Sequence, residues 1–117
     1  MDFDELKDRL RGFDLSEIKS TWHGFERIQD KRRGINYPKI ISLLTSQKGL
    51  YKFEEQKARN DNELKFKLWF KINYIYDINI YIVINEKLLE KGLNRLRIIS
   101  AHKVKRKIQE QIGKNES

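Results

Sequence analysis

No cysteine occurs in the 117 residues, so disulfides, thiolate chemistry, cysteine-ligated zinc and iron–sulfur clusters are excluded. That fits a reducing, cytoplasmic setting. Proline occurs once and glycine six times, which points to a chain made mostly of regular structure. No Gly-rich loop precedes a helix, so neither a P-loop nor a dinucleotide fingerprint is present. The two histidines, His23 and His102, stand apart from the scattered acids, so no metal and no cofactor is expected. No apolar run approaches the ~20 residues of a bilayer-spanning helix. The acidic, amphipathic start does not read as a signal peptide, and no membrane role is expected. One compact domain over residues 1–112 is expected, with 113–117 frayed.

What the chain has in abundance is charge, unevenly placed. Charged residues make up 36% and hydrophobic ones 38%, and the apolar residues are too strongly patterned for disorder. Residues 1–30 carry eight acids and five bases, whereas residues 91–114 carry eight bases and one acid. A basic late segment behind an acidic start implies an anionic partner, most commonly nucleic acid. An anionic membrane surface and plain solubility are the alternatives.

The spacing predicts a short helix over 2–11 with Phe3, Leu6 and Leu10 on one face. Asp14 and Glu17 form a capping-box pair, which predicts a second helix with a stripe of Leu15, Ile18, Trp22 and Phe25, ending near Arg33 because Gly34 suits the left-handed position. Pro38 opens a third helix that buries Ile40, Leu43 and Leu44. A strand begins at Leu50–Phe53. After the turn signal Asn60-Asp61-Asn62, apolar residues fall on every second position from Leu64 to Tyr74, then on Ile78, Ile80, Ile82 and Ile84, which is a hairpin with one buried face. Leu96, Ile98 and Ser100 predict a fourth strand. Val104, Ile108 and Ile112 predict a final basic helix, with His102 at its start. The expected fold class is α+β: N-terminal helices, about four antiparallel strands in one sheet, and a C-terminal basic helix.

The odd-numbered face of the hairpin carries Lys65, Lys67, Trp69, Lys71 and Tyr81, with Arg95 and Arg97 placed to join from the last strand. Cations neutralise phosphates and an aromatic ring stacks on an unpaired base, a combination suited to single-stranded RNA. An ordinary solvated sheet face with one aromatic for cross-strand packing explains the same pattern. Lys103, Lys105, Arg106 and Lys107 follow His102 and extend the basic surface. His23 and Arg27 are four apart and share a helical face. Histidine serves as acid or base near neutral pH and arginine stabilises a charged phosphorane, so His23 and Arg27 with His102 and its neighbouring bases form a set compatible with metal-independent RNA cleavage but not specific to it. Two unconnected surface histidines are the simpler explanation of the same residues, and residue chemistry alone favours it.

The run His23-x-x-x-Arg27, Arg33-Gly34-Ile35, then Ile40 and Leu43-Leu44, resembles the opening of a group of small domains related to RelE- and BrnT-type toxins. The order of helices followed by an antiparallel sheet is similar to the wider barnase, colicin and RelE ribonuclease fold. The motif covers roughly residues 20–45, and the element order extends the likeness to residue 112. The resemblance implies an RNA-binding domain of metal-independent endoribonuclease descent, held by an antitoxin protein, with His23, Arg27 and Arg33 at matching positions and His102 following the general habit of such folds. The extra N-terminal helix and the long basic C-terminus depart from that pattern. Two other readings stay open: a non-enzymatic module that binds RNA or a ribonucleoprotein, and a protein-interaction module with a basic docking helix.

Overall fold

Asp2 caps the first helix, its carboxylate accepting the Glu5 N–H at 2.9 Å, and helix α1 runs Phe3–Arg11 with Leu6 and Leu10 fully inward. The computed structural model describes residues 1–21, 26, 34–85 and 95–107. A single 3-10 turn (Leu15–Glu17) leads into strand β1 (Ile18–Ser20). Helix α2 (Tyr37–Ser46) follows, with Asn36 as its cap and Pro38 in its first turn. Strands β2 (Leu50–Gln56), β3 (Glu63–Lys71), β4 (Tyr76–Asn85) and β5 (Leu96–Lys105) complete the order. The sheet runs β1-β5-β4-β3-β2, a four-strand antiparallel meander closed by β1, which pairs parallel to β5. The described residues are therefore α+β, with two helices and a five-stranded mixed sheet.

Alternation decides which face is buried. Phe66, Leu68 and Phe70 of β3, with Ile78, Ile80, Ile82 and Ile84 of β4, form one face, and the helices supply Leu6, Leu10, Ile40, Leu43 and Leu44 against it. Phe53 of β2 joins through Phe3 and Phe66, at ring-centroid distances of 5.8 and 6.1 Å. Between α2 and β2 the chain turns sharply: Gln47 and Gly49 have φ of 55° and 84°. A Cβ on Gly49 would lie 2.3 Å from the Lys71 carbonyl oxygen, so only glycine fits there.

Three expectations need correction. The Asp14–Glu17 pair is present, with the Glu17 carboxylate accepting the Asp14 N–H at 3.0 Å, but it caps one 3-10 turn and not a long helix. Ile18 goes into β1 opposite Leu96, and Leu15, expected inward, is 66% exposed. Strand pairing with β5 outweighs helix periodicity over this stretch. Glu26 is helical, whereas Trp22, His23, Phe25, Arg27 and Arg33 lie outside the described residues.

The second correction concerns β5. The ladder places Ser100 opposite Tyr81 and Ile98 opposite Ile82, so Ile99 is an extra, bulged residue. Inward positions switch from Leu96 and Ile98 to Ala101, and Ser100 turns to the other face. A bulge of this kind re-aims every later side chain. The third is that His102, Lys103, Val104 and Lys105 lie in β5, not in a final helix. Helical backbone begins at residues 106–107, and the positions of Ile108 and Ile112 fall outside the described residues. Gly34 has φ of 66°, the left-handed value its place in the sequence predicts.

Candidate nucleic-acid interface

The sheet face opposite the helices is organised in cross-strand rows. The first row, Lys65–Val83–Arg97, lies at the β2–β3 turn. There the turn residues Lys57, Ala58, Arg59 and Asn60 border an open groove of about 510 Å³. Glu63, Thr21 and Ile99 complete its wall. Arg97 is partly neutralised by Glu63, at 2.8 Å. Lys57, Arg59 and Lys65 have no carboxylate within ion-pair distance among the described residues. Lys19 stands beside Arg97 in the parallel pairing and adds to the same potential. Four lining cations with Lys19 beside them, against the one lining carboxylate of Glu63, make this a strongly electropositive concavity.

The next rows hold Glu54–Lys67–Tyr81–Ser100 and Lys52–Trp69–Asn79–His102, so one exposed carboxylate, Glu54, stands opposite Lys67 on this face. Trp69 is only 7% exposed. Its ring lies under two ammonium groups, Lys52 Nζ at 4.7 Å and Lys67 Nζ at 4.5 Å from the centroid. The expectation that this indole stacks on a base is therefore corrected: the ring is already covered. Its electron-rich face instead offsets the repulsion between two neighbouring lysines and holds them together over one spot. Tyr81 is half-buried, with Lys67 Nζ 5.5 Å from its ring centroid and the His102 ring edge-on at 6.0 Å.

The bulge at Ile99 brings His102 to this face. Its Nε2 shares a hydrogen bond of 2.9 Å with Ser100 Oγ, and its row neighbour is Asn79. Without the extra residue, His102 would point at the helices. Lys71 is exposed at the far end of β3, so β3 alone contributes cations along its whole length.

Other expected contacts go elsewhere. Arg95 donates to the Glu17 carboxylate at 3.2 Å and lies over the Phe13 ring at 4.9 Å, which fastens β5 to the 3-10 turn. Arg106 bonds the fully buried Asp77 carboxylate, Nε to Oδ1 at 2.9 Å. Its pKa is driven further up chiefly by that hydrogen bond. Asp77 also accepts a hydrogen bond from the Tyr51 hydroxyl. Burial, the bond to Asp77 and the Asp77 charge push the Tyr51 pKa up to about 12. Arg106 thus serves the fold, because a buried carboxylate requires a paired cation. Lys103 opposes the inward Ile78 and Lys105 opposes Tyr76, so both lie on the helix-bearing face, apart from the groove. Lys107 is exposed beyond β5. Lys52, Lys57, Arg59, Lys19 and Thr21 also lie at this face, although the strand alternation does not single them out. The signal for two of them was a Lys-x-Arg run directly before the Asn60-Asp61-Asn62 turn.

Among the described residues no group of three His, Asp or Glu side chains is placed to hold a metal ion, and no helix is long and apolar enough to cross a membrane. No protein-family model, no curated protein and no solved structure matches the chain.

Proposed function

We propose that the chain is an RNA-binding domain that takes single-stranded RNA across its outer sheet face, with phosphates seated in the groove of Lys57, Arg59, Lys65 and Arg97. The observation that carries this reading is that concentration of cations around an open concavity of about 510 Å³. Lysine and arginine neutralise phosphates without needing a particular base sequence. Half-buried Lys67 and exposed Lys52, clipped over Trp69, extend the positive track along the sheet. The test is an anisotropy titration of a labelled single-stranded RNA at several salt concentrations against wild type and Lys57→Gln/Arg59→Gln. Loss of affinity with a flatter salt dependence is expected. Equal curves for the two proteins defeat the reading.

A second reading, metal-independent RNA cleavage of RelE/BrnT type under antitoxin control, is favoured by one observation: the bulge delivers His102 to this same face. His23, Arg27 and Arg33, the other members of the expected catalytic set, lie outside the described residues. His102→Ala should abolish chelator-resistant cleavage and leave RNA affinity nearly intact. Wild-type protein that binds RNA and never cuts it eliminates the catalytic reading and leaves the binding one.

A further inference from the structure

The β3–β4 connection shows two apolar side chains to water: Tyr74 is 95% exposed and Ile75 57%. A pair of this kind on a loose loop would be unremarkable, but this turn is tightly held. The Asn73 side-chain oxygen accepts the Ile75 and Tyr76 N–H groups at 2.8 and 2.7 Å. Arg106 donates to the carbonyls of all four residues from 73 to 76. Its guanidinium reaches Asn73 at 2.7 Å, Tyr74 at 3.1 Å and Tyr76 at 3.3 Å, and its backbone N–H reaches Ile75 at 2.9 Å. The guanidinium is anchored in turn on buried Asp77. The result is an aromatic side chain carried on a fixed backbone turn, with the backbone part of the ordering cost met before any ligand arrives.

The surroundings select the ligand. Lys48, Lys71, Lys103, Lys105 and Lys107 are exposed, and all are tied to this end of the sheet by chain position or pairing. Gly49 accepts from Lys71, Lys103 Nζ lies 4.5 Å from the Tyr76 ring centroid, and Lys105 pairs with Tyr76. Asp77, at the start of β4, is already paired with Arg106. A polyanion with an apolar face fits such a setting. An anionic membrane would meet the tip alone. The cations instead continue through Lys71, Lys67 and Lys65, spaced about 6.8 Å apart or twice that along β3, to the groove at the other end, with Glu54 of β2 opposite Lys67 as the one acid beside that line among the β2 and β3 residues of this face.

We infer that Tyr74 is a base-stacking post for single-stranded RNA, taking an unpaired nucleobase of a strand whose phosphates follow β3 to the groove. The inference rests on the RNA-binding reading above. The test uses the full chain, a labelled 12-nucleotide oligoadenylate, and phosphatidylserine vesicles. Tyr74→Ala changes an exposed side chain, and an unaltered thermal melt verifies the fold. The variant should bind the oligonucleotide about 5- to 100-fold more weakly with the salt slope of wild type, since no cation is removed. Tyr74→Trp should restore affinity, and its added indole fluorescence should be quenched by the RNA. If the Lys57→Gln/Arg59→Gln protein loses affinity while Tyr74→Ala does not, the stacking post is overturned and the groove stands. If wild type binds no RNA at low salt, both fall. If Tyr74→Ala abolishes vesicle binding and leaves RNA affinity untouched, the tip is a membrane wedge and the stacking assignment is overturned.

Discussion

Replacing Lys57 and Arg59 by glutamine removes two groove cations that have no carboxylate partner among the described residues, and the consequence is computable. Six cations of the groove lining and of the outer face of β2 and β3, with no carboxylate within ion-pair distance among the described residues, face the proposed strand: Lys57, Arg59 and Lys65 at the groove, then Lys52, Lys67 and Lys71 along the sheet. At about 0.7 per neutralised phosphate on a single strand, full engagement gives a log–log salt slope of about −4. Raising salt fourfold, from about 50 to about 200 mM, should then weaken wild-type binding roughly 300-fold. The double variant should have a slope near −3 and lose only about 50-fold over the same interval. Glu63→Gln provides a change of opposite sign. It releases Arg97 from its 2.8 Å ion pair and should steepen the slope by about 0.7. Fluorescence anisotropy with a labelled single strand reads all three proteins. A wild-type slope near zero, or a Glu63→Gln slope equal to wild type, refutes the groove as a phosphate site.

Trp69→Ala should lower stability by about 3–5 kcal/mol in urea unfolding, because the indole is 7% exposed under two lysine ammonium groups; a loss below about 1 kcal/mol contradicts its packing role. Gly49→Ala should cost more than about 2 kcal/mol, combining a left-handed backbone with a Cβ 2.3 Å from the Lys71 carbonyl; an unchanged melting temperature would show that the turn relaxes freely. Tyr51 keeps its proton in the folded state up to a pKa of about 12, whereas the unfolded chain releases it near 10. Its contribution is therefore fully present below pH 10 and is lost as pH rises from about 10 to about 12. Tyr51→Phe should remove that part of the alkaline decline, and the late-ionising component of the ultraviolet titration should disappear with it. Equal alkaline slopes for the two proteins would break the argument.

The hairpin was legible because Leu64 to Phe70 and Ile78 to Ile84 bury one face and expose the other, which is the one pattern that alternation encodes directly. Helix α2 was legible for a similar reason, with Asn36 and Pro38 marking its start. β1 was not, since three residues cannot show a period and the Asp14–Glu17 pair suits a 3-10 turn as well as a helix. The bulge at Ile99 was hidden because Ile99, Ser100 and Ala101 all tolerate either face of a strand. Its effect was to misplace His102 and Lys103. The role of Arg106 has a signal in the sequence: Asp77 is an acid opening a strand of isoleucines, and a carboxylate there calls for a cation from elsewhere in the chain. The groove was half legible, through Lys65 and Arg97, while Lys57 and Arg59 enter it only because the β2–β3 turn folds beside the sheet.

The parallel pairing of β1 with β5 also sets a timetable. Ribosomes deliver the chain from its N-terminus, and β2, β3 and β4 find their partners in the order they emerge. β1 is synthesised before any of them, yet Ile18, Lys19 and Ser20 have no ladder until Leu96, Arg97 and Ile98 exist. Closing so long a loop comes late and slowly. A nascent chain released short of residue 96 therefore carries an unzipped first strand and an uncovered β4 edge, the kind of surface that invites chaperones or aggregation.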